Sequence, residues 1–222
     1  MILRKEVTEV DANVKKANEI KIKKVISNLE KRNITGYYCE DKASAVELIL
    51  SLIPEGAEVS WGGSATLGEI GIKDGVKAGN YKVNDPMAAA DPAGGLEARR
   101  RALLSDVFLS SANAVTMDGE IVNIDGRGNR VAAITFGPKK VILAVGANKL
   151  VLDEKDAVDR IKNDACPPNC IRLGLKTPCA VTGKCGNCLS RGNTVCCHTV
   201  TTRFSFEDDR LHVVLINENL GF

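Results

Sequence analysis

Apolar residues recur at three- and four-residue steps along the N-terminal stretch, at Val7, Val10, Val14 and Ala17, and continue at Val25, Ile26 and Leu29. That period predicts an amphipathic helix over 8–32, ending before Asn33-Ile-Thr-Gly36. A short strand follows at Gly36–Cys39, with Asp41 placed to cap a second helix over 42–53, which stops at Pro54-Glu-Gly56. Ala57–Trp61 reads as a strand, Gly62–Thr66 as a Gly-rich turn, and the residues from Leu67 as a helix. Beyond a loop holding Asp85-Pro-Met and Asp91-Pro-Ala-Gly-Gly95, helical residues span Leu96–Ser105.

Short apolar runs then alternate with turn signals. Val107–Leu109, Ala114–Thr116, Ile121–Ile124, Ala132–Phe136 and Lys140–Val145 are expected as strands, and Asp153–Lys162 as a helix. Thr201–Phe206 and Leu211–Ile216, joined across Asp208-Asp209, are expected as a closing hairpin. Helices alternating with short apolar strands predict an α/β fold with a largely parallel sheet, and antiparallel additions near 121–145 and 201–216.

At 222 residues, with 44% hydrophobic and 26% charged positions, the chain suits a single globular domain over 1–222. A net charge of +2 gives no reason to expect nucleic acid or an acidic membrane as partner. Lys15, Lys16, Lys21, Lys23 and Lys24 lack interleaved aromatic residues and are read as a solvated helix face. No stretch approaches the roughly 20 apolar residues of a membrane span. Charged residues interrupt the first positions before a signal peptide can develop. The expected compartment is therefore the cytoplasm, where thiols stay reduced.

Seven of the eight cysteines lie between Cys166 and Cys197, with the spacing C-x3-C-x8-C-x5-C-x2-C-x7-C-C. In a reducing compartment such a block points to metal ligands rather than disulfides. It defines a Cys-rich, metal-binding segment over 163–200 inserted near the end of the α/β domain. Cys39 stands alone and is read as a buried small hydrophobe. The Gly62-Gly63-Ser64-Ala65-Thr66 turn, between strand and helix, presents backbone N–H groups that suit an anion. The same residues also make an ordinary tight turn. In the Arg99-Arg100-Arg101 run, read as mostly solvated, one arginine is within reach of an anionic ligand.

Several stretches together resemble the lactate-utilisation (LUD) domain family: Trp61–Glu69, Asp118–Arg130, Gly137–Ile142, Gly146-Ala-Asn-Lys149 and Leu220-Gly-Phe222. The resemblance implies a mostly parallel Rossmann-like sheet, as in ribose-5-phosphate isomerase and the CoA-transferases, where a Gly-Ser/Thr loop binds anionic groups. It places that loop at Gly62, Gly63, Ser64 and Thr66, with Asp118, Asp125, Gly126, Gly128 and Asn129 on facing loops. Arg127 or Arg130 would add charge for a small anionic organic acid or cofactor. Some members of the family belong to multiprotein systems that oxidise L-lactate with iron–sulfur subunits. The resemblance thus implies a component of organic-acid oxidation and electron transfer, with oxidoreductase subunits as partners.

Three chemistries compete for the cysteines. A [4Fe–4S] cluster needs four thiolates, which Cys179, Cys185, Cys188 and Cys196 supply. A structural zinc site uses the same set or includes His198. A reactive dithiol at Cys185/Cys188 is the third. Seven cysteines exceed what one zinc ion needs, and residues 161–203 hold six Lys/Arg against a single acid, Asp164. That surplus offsets a thiolate centre of either kind. The alternative function is a non-redox binding or assembly protein with structural zinc. Glu69 and Asp118 are the acid/base candidates, against capping for the first and turn formation for the second. His212, in an alternating strand pattern, is read as structural.

Overall fold

The computed structural model describes residues 9–222, with side chains described from residue 11 onward. Helix α1 (Glu9–Glu30) leads to strand β1 (Thr35–Cys39), then α2 (Lys42–Leu52) and β2 (Glu58–Trp61). Two short helices, α3 (Ala65–Glu69) and α4 (Ile72–Ala78), precede β3 (Lys82–Asn84) and α5 (Pro92–Arg101). Strands β4 (Val107–Ser110), β5 (Ala114–Thr116) and β6 (Ile121–Asp125) are followed by α6 (Asn129–Thr135) and β7 (Lys140–Gly146). A 3-10 turn at Ala147–Lys149 enters β8 (Leu150–Val151) and α7 (Glu154–Arg160). A π turn (Ile161–Ala165) then runs into α8 (Cys166–Arg172) and α9 (Pro178–Thr182), before β9 (His198–Thr202) and β10 (Leu211–Ile216).

Six strands form one parallel sheet in the order β1-β10-β7-β4-β2-β3. Such a sheet must be covered on both faces, and the side chains of β7 show how. Val141, Leu143 and Val145 point into a core with Ile22, Val25 and Leu29 of α1 and Ile134 of α6. Ile142 and Ala144, on the opposite face, pack with Ile49 of α2, Leu67 of α3 and Ile72 and Val76 of α4. A second sheet, ordered β8-β5-β6-β9, is antiparallel except for β5 and β8. Its Ala114, Val122 and Ile124 bury against Ala157 and Ile161. The expected α/β class and mostly parallel sheet are therefore present.

Four expectations need correction. Residues 132–136 are not a strand. Gly128 turns the chain at φ 84 and α6 follows, burying Val131 and Ile134 three residues apart, the spacing of a helix face. Residues 201–216 do not form a hairpin: β9 pairs with β6, while β10 enters the main sheet between β1 and β7. Within α1, Val14 is 54% exposed and carries little of the core, whereas Ile22, Val25 and Leu29 do the packing. Val7 and the side chain of Val10 lie outside the described residues.

Nor do β6 and β7 pair across 121–145: β6 is antiparallel to β5 and β9, while β7 lies in the parallel sheet. Several other readings hold. The Asp41 carboxylate accepts from Ser44 N at 2.8 Å and caps α2. Cys39 is buried, and the five lysines of α1 are exposed. His212 is buried in β10, its ring bonded to the Asp209 carbonyl and the Tyr37 hydroxyl. Burial lowers its pKa from the ordinary value, against the Asp209 carbonyl bond that raises it. No helix among the described residues is long and apolar enough to cross a membrane.

Candidate functional site

In a parallel sheet, loops at the carboxyl ends of the strands converge on one edge. Here Gly62–Thr66 follows β2, Ser111–Asn113 follows β4, and Lys149 follows β7. Together with the Asp125–Arg130 segment after β6 and the start of α8, they enclose a cavity of about 310 Å3. Ser64 and Asn129 both line it, so the two Gly-rich segments face each other as expected.

Local rules place each group. Ser64 is the N-cap of α3, its hydroxyl accepting from Leu67 N at 3.2 Å. Thr66 is buried, donating to the Leu220 carbonyl at 3.3 Å and accepting from Lys149 Nζ at 2.7 Å. Gly62 N donates to the Leu109 carbonyl, continuing the ladder past β2, while Gly63 is exposed. Asp125 ties the second segment: its Oδ2 accepts from Arg130 N and Val131 N, and its Oδ1 from Gly126 N. That carboxylate is occupied with backbone donors. Gly128 meets the His198 ring, which a Cβ there would approach to 3.2 Å.

Arg130 serves the framework as well. Its Nη1 donates to Asn123 Oδ1 at 2.6 Å and the Ser111 carbonyl at 3.2 Å, and its Nη2 to Asn113 Oδ1 at 2.8 Å and the Ile124 carbonyl at 2.9 Å. Burial pushes its pKa below the ordinary value, against the pull of Asp125. The cavity's other cations are Arg99, Arg127, Arg172 and Lys149, so five basic side chains face a single carboxylate, Asp125. From the arginine run, Arg99 is the one that reaches the cavity, whereas Arg100 and Arg101 pair with Glu97 and Glu58.

Lys149 carries no such carboxylate partner among the described residues and is 3% exposed. Its Nζ donates to Thr66 Oγ1 and, at 3.0 Å, to Ser111 Oγ. Burial and the neighbouring Arg160 and Arg130 lower its pKa from 10.5 to about 7, with Glu69 opposing. Sequence reasoning gave Lys149 no role in the site. The available signal was a charged residue beside Asn148 in the middle of a mostly apolar run, Val141–Leu152.

The two acid/base candidates stand apart from this cavity. Glu69 is exposed, and its Oε2 accepts from Gly221 N at 2.7 Å, holding the last residues in place. Asp118 is exposed in the turn between β5 and β6, its carbonyl accepting from Arg32 Nε at 2.6 Å. Neither lines the cavity.

The cysteines arrange differently from the expected quartet. Cys179 is buried in α9 beside Thr177, while Cys185 and Cys188 sit on the half-exposed loop beyond it. Cys196 instead meets Cys166 of α8, Sγ to Sγ at 3.4 Å, and Cys170 interacts with Cys179. The contact with Cys166 lowers the Cys196 pKa and raises that of Cys166, making Cys196 the more acidic thiol of the pair. Among the described residues no group of three or more His, Cys, Asp or Glu side chains is placed to hold a metal ion. Segment 163–200 thus begins as helix rather than loop, and Cys166, which also lines the cavity, joins it to the site.

The family model described as LUD domain matches residues 22–216. No curated protein matches the chain. Among solved structures, that of a DUF162 family protein from Deinococcus radiodurans is similar, with a TM-score of 0.52 at 12% identity. The match covers 90% of this chain and 98% of that one, and at such identity it speaks for the fold.

Proposed function

Because the chain belongs to the LUD domain family, and because its cavity sets four arginines and a lysine against one occupied side-chain carboxylate, we propose that it binds a small organic-acid anion there. The charge imbalance carries this reading. Clustered basic side chains with few protein counter-ions repel one another, and an anionic ligand offsets that cost. A volume of about 310 Å3 matches the small end of ligand sites. The reaction class is organic-acid oxidation with electron transfer, by this chain or by a partner subunit that receives the acid.

Trp61, the single tryptophan, lines the cavity and offers a fluorescence probe of its occupancy. Titration with lactate, pyruvate and CoA should give saturable binding for at least one of them. Arg127→Ala and Arg172→Ala should each weaken it about threefold to tenfold, the scale of a partly exposed charged contact. Absence of binding by all three, or binding indifferent to both substitutions, overturns the reading.

Cys166 and Cys196 touch beside the cavity, and from the number of thiols in the cysteine segment we infer a redox role for it. Its thiol chemistry suits a [4Fe–4S] cluster, which when bound exchanges single electrons, or structural zinc, which ties down the segment without redox chemistry. Cys179 and Cys196 belong to the expected quartet, and each also neighbours a further thiol, Cys170 and Cys166 respectively. Metal counting on anaerobically prepared protein should show iron lost on Cys179→Ser and on Cys196→Ser. Stoichiometric zinc in colourless protein would favour a non-redox binding or assembly role instead.

A further inference from the structure

Lys149 is the cavity group whose bonding the protein leaves incomplete. An ammonium has three N–H donors, and the described residues take two of them, through the Thr66 and Ser111 hydroxyls. Both acceptors are neutral, and the charged groups around the amine are mostly of its own sign. Arg130 faces it from α6 and Arg160 from α7, against Glu69 from α3. The Arg160 guanidinium is already committed to the Asn148 and Asn113 carbonyls, and Glu69 to Gly221 N. The chain closes over the site at Gly221, where a Cβ would come 2.5 Å from Thr66 Oγ1 and 3.4 Å from Lys149 Nζ. The left-handed φ of 62 there also favours glycine.

We propose that Lys149, with the Thr66 and Ser111 hydroxyls, is the seat of the ligand's carboxylate, and that seating it draws one proton from solvent onto the Lys149 amine. This deepens the reading of the cavity as an anion site and rests on it. The balance is simple: a neutral amine, a proton from the buffer and a carboxylate become an ammonium–carboxylate pair, with no bond to carbon made or broken. The ligand supplies the counter-charge that the fold omits and gives the third N–H its acceptor. Hydroxyl groups on either side keep the amine aimed, so a carboxylate is received at a fixed position.

The sign of the linkage follows from burial and the neighbouring Arg160 and Arg130, which lower the pKa of the free amine to about 7. Below that pH the ammonium is already present and binding takes up little. Above it, each carboxylate bound must bring its proton along, so affinity should fall about tenfold per pH unit until the pKa of the bound form is reached.

The experiment is calorimetric titration of the intact chain with lactate and pyruvate at pH 8, in phosphate and in Tris, which differ in ionisation heat. Net proton uptake on binding is expected at pH 8, with Lys149→Arg binding without uptake and keeping a flat affinity from pH 7 to pH 9. Lys149→Met should weaken binding at pH 7 by about tenfold or more. Should that variant fail to fold, the wild-type heats and Lys149→Arg still decide. Equal heats in both buffers, with affinity flat across this range while Arg127→Ala still weakens it, would overturn the Lys149 seat and leave the anion site standing. Failure of every carboxylate to bind would remove both.

Discussion

Two basic side chains at the same cavity illustrate how neighbours divide the work of similar residues. Arg130 has four acceptors at hydrogen-bond distance and spends its guanidinium joining the β4 exit to β6. Lys149 has two hydroxyls and an open third position. Charge alone therefore does not distinguish a strut from a binding group; the count of satisfied donors does. Arg130→Ala should cost about 2 kcal/mol or more, because it removes four hydrogen bonds from a charged donor and leaves Asn113 and Asn123 Oδ1 with only the Ile124 and Asn113 backbone donors. Urea unfolding with an unchanged slope measures that loss. A variant as stable as the parent, with only ligand affinity reduced, would return Arg130 to the ligand-binding role that its sequence position suggests.

At the scale of elements, α6 depends on a cap that sits four residues before it begins. Asp125 ends β6, yet its carboxylate receives the first backbone donors of the helix, Arg130 N and Val131 N. Asp125→Ala should destabilise the protein by about 1 kcal/mol, the usual worth of a cap, read as a lower urea midpoint. An unchanged midpoint would show that packing of Val131 and Ile134 suffices. This arrangement also explains why α6 was illegible in sequence. Val131-Ala-Ala-Ile-Thr-Phe136 has strand-like residues, and the signal for a helix lies in the preceding Asp125 and Gly128, which read equally as a turn. By contrast α2 was legible because Asp41 stands immediately before its apolar run and caps it. Strand β3 was missed because its three residues lie at a sheet edge and are largely exposed.

Across the whole molecule, the Gly-rich halves of the cavity were legible because glycine at strand ends is a local feature. Lys149, Ser111 and Asn113 were not, since only the parallel order of β2, β4 and β7 brings their exits together. The same limit applies to the cysteines, whose spacing cannot show that α8 carries Cys166 to Cys196. It applies most to β10, whose pairing lies far from its neighbours in sequence. A chain ending at residue 205 should show no cooperative urea transition, because β1 and β7 lose the strand between them. A cooperative transition in that fragment would mean that the remaining strands re-pair.

The place of β10 has a consequence for biosynthesis. Thr35 pairs with His212, so β1 emerges from the ribosome long before its neighbour has been translated. During that interval β1 has no native parallel partner, and its backbone edge is open to strands of other chains. Closing so long a loop is also slow relative to local pairing. Translation speed and chaperone occupancy over the middle of the message should therefore govern the yield of folded protein more than the stability it finally reaches.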